Sequence, residues 1–96
     1  MKISTWNVNS VNARIDHLIK FIKEDKSDIY LLQELKTIEE GFPKDKINEI
    51  GYKTYINGQK AWNGVAILSK KNLEITNKKI PNYNDVNSRF IETEIS

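Results

Sequence analysis

Hydrophobic positions in the first third of the chain follow two patterns, one typical of strands and one typical of a helix. The segment KISTWN (Lys2 to Asn7) is short and contains β-branched and aromatic residues, which predicts a strand. The run IYLLQ (Ile29 to Gln33) is almost continuously apolar, which predicts a strand covered on both faces. Between them, after the cap-type residue Ser10, apolar residues recur at the spacing of one helix face. They are Val11, Ile15, Leu18, Ile19 and Ile22.

Strand, helix and strand in this order predict a βαβ unit over residues 2–33. Its two strands run parallel and its crossover is right-handed. Ligands of open parallel sheets bind outside the carboxyl ends of the strands. Asn7 ends the first strand and Glu34 follows the second, so we expect both side chains on one rim if the strands are neighbours.

The remainder of the chain is richer in strand patterns. The segment GFPKDKINEIGY predicts a short helix that begins near Pro43 and ends near Gly51. YKTYIN (52–57) and GVAILS (64–69) predict two strands of a hairpin, joined by a six-residue connection. The last segments predict a short strand, a polar loop and a final strand. They are EIT (74–76), PNYNDVNS (81–88) and RFIETEIS (89–96).

Composition narrows the class of protein without identifying it. A chain of 96 residues, 39% hydrophobic and 29% charged, makes one small globular domain. The net charge of +2 permits binding to a polyanion but does not argue for it. The lack of cysteine excludes disulfides, thiolate metal sites and a cysteine nucleophile. No signal-peptide region and no membrane-spanning stretch is present in the sequence, so we expect a cytoplasmic protein without a membrane partner.

The oxygen atoms at the predicted rim form the first candidate site, which would bind a metal ion. Mg²⁺ prefers carboxylate, carbonyl and water oxygens, and Asn7 with Glu34 provides two such groups. Spacing alone leaves a structural alternative open, in which Asn7 bonds its own turn and Glu34 is a solvated charge. Lys36 has two functional possibilities, an ion pair with Glu34 or contact with a phosphate. The structural alternative is a solvated lysine.

The remaining candidates are basic and aromatic side chains. Lys60 and Trp62 share a predicted loop, where they would hold phosphates and stack on bases; alternatively, Trp62 packs over the hairpin. Arg89 precedes the final strand, either in a buried ion pair at the sheet edge or as a site residue. His17 is the single histidine, but it lies off the apolar stripe of the helix, so we expect a surface position rather than a catalytic one.

Five segments together resemble, in order and spacing, the exodeoxyribonuclease III-type AP endonucleases of the endonuclease/exonuclease/phosphatase superfamily. They are MKISTWNVNSVNAR, DIYLLQELK, GFPKDKINEIGY, GQKAWNGVAILSK and SRFIETEI, and the resemblance covers the whole chain. It implies an α/β fold, the N-terminal half of a four-layer α/β sandwich in which two packed sheets are flanked by helices. It also implies hydrolysis of DNA phosphodiesters at abasic sites and 3′ ends, with Mg²⁺ (or Mn²⁺) as cofactor.

The resemblance assigns roles to particular residues. Asn7 and Glu34 match the first two metal-site positions of the family, and Gln33 and Lys36 match the surrounding motif. From the resemblance and the loop chemistry we predict four DNA-binding residues: Arg14, Lys36, Lys60 and Trp62.

Two positions depart from the family pattern. Asn12 stands where the family has a DNA-facing arginine, and Leu35 where it has a threonine. Because each lost phosphate contact weakens binding to DNA, the first change lowers the expected affinity.

The second half of the family domain carries its active-site tyrosine, an Asp-x-Asn pair, a further aspartate and the catalytic histidine. No residue of this chain matches them, so we expect residues 1–96 to form an incomplete domain that does not cleave DNA alone. We expect the product of a truncated or split gene, with DNA and a chain carrying the missing half as partners, and poor solubility from the open apolar sheet face. The alternative is a small non-catalytic DNA-binding or interaction module.

Overall fold

The computed structural model describes residues 1–79 and 85–95. Its main sheet has the strand order β1-β2-β4-β3, and a second sheet contains β5 and β6. The strands are β1 (Ile3–Asn7), β2 (Ile29–Gln33), β3 (Lys53–Asn57), β4 (Val65–Ser69), β5 (Ile75–Asn77) and β6 (Glu92–Thr93). The helices are α1 (Val11–Asp25) and α2 (Lys44–Glu49), with a 3₁₀ turn at Glu39–Gly41. None of the helices in these residues is long and apolar enough to cross a membrane.

The βαβ prediction is confirmed, and so is the hairpin. β1 and β2 are neighbours and run parallel, with Asn7 opposite Gln33. β3 and β4 pair antiparallel, and β4 also pairs antiparallel with β2. These pairings make a mixed α/β fold, in agreement with the predicted half of a sandwich.

Local sequence explains where α1 begins and ends. The Ser10 hydroxyl accepts a hydrogen bond from the Ala13 amide at 3.3 Å, which caps the first turn. The helix ends at Lys26, a left-handed residue whose N–H bonds the carbonyl of Ile22. The predicted apolar stripe is buried at Val11, Leu18 and Ile22 and lies on the main sheet.

The two faces of the main sheet are covered unequally. Tyr30, Leu32 and Leu68 face the helices and belong to the hydrophobic core. The other face is covered partly by the β5–β6 segment, so Ile29 is buried whereas Leu31 is 37% exposed. The prediction that IYLLQ is covered on both faces is therefore wrong at Leu31, because the described residues supply only two short strands to that face.

The predicted final strand over 89–96 is wrong in length, since only Glu92–Thr93 is a strand. Its partner β5 is three residues long, and the register shifts between Ile75 and Asn77, so the ladder does not extend. Ser96 and residues 80–84, which include part of the predicted polar loop, lie outside the described residues.

A polar network joins α1 to the amino ends of β1 and β2. The Asp25 carboxylate accepts hydrogen bonds from Lys2 Nζ at 2.5 Å, Ser27 Oγ at 2.5 Å and Tyr30 Oη at 2.9 Å. Tyr52 Oη donates to the Ser27 carbonyl at 2.5 Å. The bond from Lys2, followed by that from Ser27, holds the pKa of Asp25 well below its usual value.

We predict that the free energy of unfolding falls as the pH drops below about 4, and that Asp25→Asn flattens this dependence. A carboxyl group with a lowered folded-state pKa stabilises the fold above its unfolded pKa, near 3.8, and loses that contribution as the pH falls toward the folded pKa. Urea denaturation of both proteins at about pH 6 and about pH 3 measures the difference. An equal loss in both proteins would show that another group is responsible.

Candidate functional site

The carboxyl ends of β1 and β2 bring Asn7 and Glu34 together, as the βαβ topology predicts. Asn7 Nδ2 donates a hydrogen bond to the Glu34 carboxylate, and Asn7 Oδ1 accepts one from the Asn9 amide at 3.1 Å. Glu34 is partly buried, and its carboxylate is held at the surface by the bond from Asn7. The meeting of these side chains is observed; their role as metal ligands stays a prediction.

Loop contacts hold this rim together. Lys36 Nζ donates to Asn9 Oδ1 at 2.5 Å, which links the predicted phosphate ligand to the Asn7–Glu34 pair. The Lys36 amide donates to the Asn63 carbonyl at 2.9 Å, and the Leu35 amide to the Gly64 carbonyl at 3.1 Å. The segment after β2 is therefore fastened to the β3–β4 connection, and it does not behave as an independent loop.

Backbone strain is concentrated at the same rim. Seven non-glycine residues among those described have positive φ, and six of them lie here. They are Asn9, Ser10, Glu34, Lys36, Ala61 and Asn63. Such conformations cost on the order of 1–3 kcal/mol each and persist only where surrounding contacts hold them. Strain of this kind is often associated with binding and catalytic sites, which supports a functional role for the rim.

The rim borders an open cavity of about 220 Å³. Its lining residues come from four separate parts of the chain; they are Asn7, Gln33, Glu34, Asn63, Gly64, Val65, Ser88 and Arg89. Arg89 also donates to Asp85 Oδ2 from Nη2 at 2.7 Å and from Nε at 3.0 Å. The ion pair is not buried, since the Arg89 side chain is 53% exposed, and the role of Arg89 as a site residue stays a prediction.

The sequence analysis missed Asn9, Asn63 and Ser88. Ser88 joins the rim through its carbonyl, which accepts from the Gly64 amide at 2.8 Å, and through its hydroxyl, which donates to the Gly58 carbonyl at 2.8 Å. No local pattern marks such a residue, because its neighbours are far away in sequence. Asn9 could have been predicted from the sequence, since it lies two residues after Asn7 in the same turn.

The predicted DNA-binding residues lie around this end of the molecule. Trp62 is 68% exposed, so the alternative in which it packs over the hairpin is wrong. Its amide donates to the Lys60 carbonyl at 2.8 Å, which keeps the two residues in one tight turn, and the Lys60 side chain is exposed. Arg14 is partly buried, one turn into α1, whose first amide bonds the Leu35 carbonyl at the rim. The structure brings Lys36 and the Lys60–Trp62 turn to one side, and contact of any of them with DNA stays a prediction.

The two departures from the family pattern have structural explanations. Asn12 Nδ2 donates to the Gly41 carbonyl at 3.1 Å and so ties the start of α1 to the 3₁₀ turn. Leu35 is completely buried in the core, where an apolar side chain is favoured over a hydroxyl.

The donor atoms at the rim fit a hard divalent cation in type. Glu34 carries a carboxylate, and Asn7 and Gln33 carry amide oxygens, which Mg²⁺ accepts as ligands. Among residues 1–79 and 85–95, no three histidine, aspartate or glutamate side chains gather in a metal-binding group. These residues can therefore form part of such a site, in which waters and other oxygen groups supply the remaining ligands.

Comparisons with known proteins agree with this arrangement. A family model described as Endonuclease/Exonuclease/phosphatase family matches residues 4–96. Exodeoxyribonuclease III from Haemophilus influenzae is 32% identical over 96 residues, which is 99% of this chain and 36% of that protein. An AP endonuclease from Archaeoglobus fulgidus superposes with a TM-score of 0.93 at 35% identity, covering 100% of this chain and 37% of that one.

A second solved structure superposes equally well. The 3′ phosphatase NExo from Neisseria, bound to a product DNA hairpin, gives a TM-score of 0.94 at 36% identity, covering 100% of this chain and 38% of that one. The chain thus spans little more than a third of the length of these relatives.

Proposed function

The chain belongs to the Endonuclease/Exonuclease/phosphatase family, and from that premise we propose that it is part of a Mg²⁺-dependent DNA repair nuclease of the exodeoxyribonuclease III type. The proposed reaction is hydrolysis of DNA phosphodiesters at abasic sites and 3′ ends. The observation that carries the proposal is the Asn7–Glu34 pair at the carboxyl ends of two parallel strands, in a chain that superposes over its full length on an AP endonuclease.

Each rim residue has a stated part in this function. Glu34 and Asn7 would hold Mg²⁺ (or Mn²⁺) through a carboxylate and an amide oxygen, and the Asn7 amide N–H also fixes the orientation of Glu34. Asn9 fixes Asn7 in turn, through its backbone N–H. When bound to these residues, a divalent cation would supply Lewis-acid stabilisation of the negative charge on a phosphoryl oxygen. Lys36, held by Asn9, adds a positive charge near the same phosphate.

Arg14, Lys36 and Lys60 contact phosphates in this proposal, and Trp62 stacks on a base or sugar. Each phosphate that is neutralised releases counterions. The slope of log affinity against log salt concentration is therefore steeper by about 0.9 for each contact. With Asn12 bonded to Gly41, the chain makes one phosphate contact fewer than the family pattern implies.

We propose that cleavage requires the portion of the domain that this chain does not match. The chain covers 36–38% of its relatives, and Glu34 is the one carboxylate among the described residues that line the rim cavity. In this proposal the partner of these residues is the rest of the domain, which the following test supplies as a separate chain.

Reconstitution tests this proposal. The probe is the part of the Archaeoglobus AP endonuclease that this chain does not match, expressed separately and mixed with it. We expect Mg²⁺-dependent cleavage of a duplex oligonucleotide containing an abasic site, abolished by a chelator, and none from either part alone. If the two parts associate and no cleavage follows, the nuclease proposal is wrong.

A non-catalytic DNA-binding module is the second candidate, and the exposure of Trp62 favours it. Both candidates require the chain to bind DNA, but this one requires no cleavage after reconstitution. A titration of abasic-site DNA with the chain alone, at about 50 and about 200 mM salt, measures the first property. An affinity that does not change with salt would exclude this candidate.

We predict that Trp62→Ala weakens the affinity for abasic-site DNA about tenfold, because base–aromatic stacking contributes about 1–3 kcal/mol. The control is Phe21→Ala, which removes another exposed aromatic side chain, 40% exposed on α1. Fluorescence anisotropy with labelled DNA measures both. Equal affinities for the two variants would show that Trp62 does not contact DNA.

We predict that Lys60→Ala reduces the salt slope of binding by about 1. The control is Lys71→Ala, which removes an exposed lysine beyond the far end of β4 and should leave the slope unchanged. The same anisotropy titrations at several salt concentrations measure the slopes. A slope that is the same for Lys60→Ala and the unmodified chain would remove Lys60 from the DNA contacts.

A further inference from the structure

We propose that Gln59 is a positioning residue for the proposed reaction, and that its side-chain amide fixes the two walls of the rim cavity relative to each other. One wall contains Glu34, and the other contains Ser88 and Arg89. This inference rests on the proposed function, since it names a residue that acts on the same site. It is carried by three hydrogen bonds of one side chain and by the strained residues that these bonds reach.

The Gln59 side chain is partly buried and uses both ends of its amide. Its Oε1 accepts a hydrogen bond from the Ser88 backbone N–H at 2.7 Å and another from Asn63 Nδ2 at 3.3 Å. Its Nε2 donates to Asn87 Oδ1 at 3.1 Å. The backbone N–H of Gln59 donates to the Thr37 carbonyl at 3.0 Å. One residue therefore joins the β3–β4 connection to the segment after β2 and to the segment before β6.

The first path from Gln59 to the Glu34 wall passes through Asn63. Asn63 has a φ of +51°, and its Nδ2 is held by Gln59. The Asn63 carbonyl accepts from the Lys36 amide at 2.9 Å, and Lys36 and Glu34 have φ values of +56° and +54°. Strained conformations persist only where surrounding contacts hold them. Gln59 therefore helps to hold the backbone that presents the Glu34 carboxylate.

The second path passes through Ser88. The Ser88 N–H donates to Gln59, and the Ser88 carbonyl accepts from the Gly64 amide at 2.8 Å. The Gly64 carbonyl in turn accepts from the Leu35 amide at 3.1 Å. Because Leu35 follows Glu34 directly, this series of hydrogen bonds joins the two walls through the β3–β4 connection.

The same side chain also fixes the wall that contains Arg89. Asn87, whose side chain accepts from Gln59, donates its backbone N–H to Asp85 Oδ1 at 3.0 Å. The other carboxylate oxygen of Asp85 accepts from Arg89 Nη2 at 2.7 Å and Nε at 3.0 Å. Arg89 and Glu34 carry opposite charges and line one cavity, so their separation sets the space and the electric field that a bound phosphate would meet. A displacement of about 1 Å at a reacting centre can lower a rate about 100-fold.

Asn57 provides a matched comparison two residues before Gln59. Its Nδ2 donates to the carbonyls of Lys78 at 3.1 Å and Phe90 at 2.8 Å, so it also joins the end of β3 to distant segments. Neither of these two partners lines the rim cavity. The comparison therefore distinguishes a connection between the segments in general from the particular bonds of Gln59.

Amide hydrogen exchange of the chain alone tests the network. Gln59→Met keeps the length of the side chain and removes its polar atoms, and we expect the amides of Ser88, Leu35 and Lys36 to exchange at least about tenfold faster. Asn57→Leu should change exchange at Leu35 and Lys36 less than about threefold. Faster exchange at Ser88 alone, an equal acceleration along β4, or equal effects of the two variants overturns the proposal, because the change would then be local, global or not particular to Gln59.

Two further variants separate the hydrogen bonds from packing. Gln59→Glu keeps an oxygen that accepts from Ser88 and Asn63, and the Asn87 amide can turn to donate to the new carboxylate, so exchange at Lys36 should stay within about threefold of the unmodified chain. Asn63→Gly tolerates the positive φ and removes only the Nδ2 donor, so Lys36 should exchange faster and Ser88 should not. An acceleration in Gln59→Glu as large as that in Gln59→Met overturns the proposal.

Kinetics of the reconstituted domain measure the consequence for the reaction. We expect Gln59→Met to lower kcat at least about tenfold and to change KM for abasic-site DNA less than about threefold, since the displaced groups meet the reacting phosphate and the other predicted DNA contacts remain. Gln59→Glu should restore kcat to within about threefold, and Asn57→Leu should retain it. A higher KM with an unchanged kcat overturns the positioning role.

The two proposals fail in different ways. If the unmodified reconstituted domain does not cleave DNA, the proposed function is refuted, and exchange in the chain alone still decides whether Gln59 fixes the two walls. If that domain cleaves DNA and Gln59→Met leaves kcat unchanged, the function is supported and this inference is overturned.

Discussion

Glu34→Gln is expected to lower the Mg²⁺-dependent cleavage rate of the reconstituted domain at least about 100-fold. The substitution keeps the size of the side chain and removes the negative charge, and losing a carboxylate ligand weakens binding of a hard cation. Substitution of residues that only support a metal ligand lowers metal affinity or activity by about 10–100-fold. Loss of the ligand itself should therefore lower them by more. Steady-state cleavage of abasic-site DNA at several Mg²⁺ concentrations measures the effect.

The control for this variant is Glu40→Gln, which removes the charge of an exposed glutamate in the 3₁₀ turn. It should retain the rate of the unmodified domain. Binding of Mn²⁺, followed by electron paramagnetic resonance, gives a readout apart from turnover, and we expect weaker binding for Glu34→Gln. Unchanged Mn²⁺ affinity and an unchanged rate would show that Glu34 is a structural partner of Asn7 and does not bind metal.

Gly58→Ala is expected to lower the free energy of unfolding by about 2–3 kcal/mol and to loosen the rim. A Cβ at this position would lie 2.7 Å from the Thr37 carbonyl oxygen, 2.8 Å from the Glu39 nitrogen and 2.9 Å from the Ile38 carbonyl carbon. All three are backbone atoms, so no side-chain rotation relieves the overlap. The segment that leads from β3 toward Trp62 must then move away from the segment that follows Lys36.

Gly51→Ala is the matched control, since a Cβ there meets nothing within 4 Å. Its φ of +93° still makes alanine strained, so we expect a loss of only about 1–2 kcal/mol. Urea denaturation measures both variants, and exchange of the Gln59 amide, which donates to the Thr37 carbonyl at 3.0 Å, reports on the rim. A smaller loss for Gly58→Ala than for Gly51→Ala would contradict the predicted backbone overlap.

The β1–α1–β2 unit shows which structural features can be predicted from local sequence patterns. The spacing of Val11, Leu18 and Ile22 specified which face of α1 is buried, and the apolar run of β2 specified a strand. Because the carboxyl ends of parallel neighbours meet at one edge, the same patterns placed Asn7 beside Glu34. The prediction for the end of the chain failed, because the length of β6 depends on its short partner β5 and the alternation of its own residues does not encode this.

The sequence by itself therefore determined the βαβ unit, the hairpin and half of the candidate site, since these depend on periodicity and on chain direction. Only the tertiary structure decided that β4 lies between β2 and β3, that Arg89 and Ser88 form the other wall of the cavity, and that Leu31 remains partly open. Contacts between distant segments depend on which surfaces pack and close loops together, and no local periodicity records that choice.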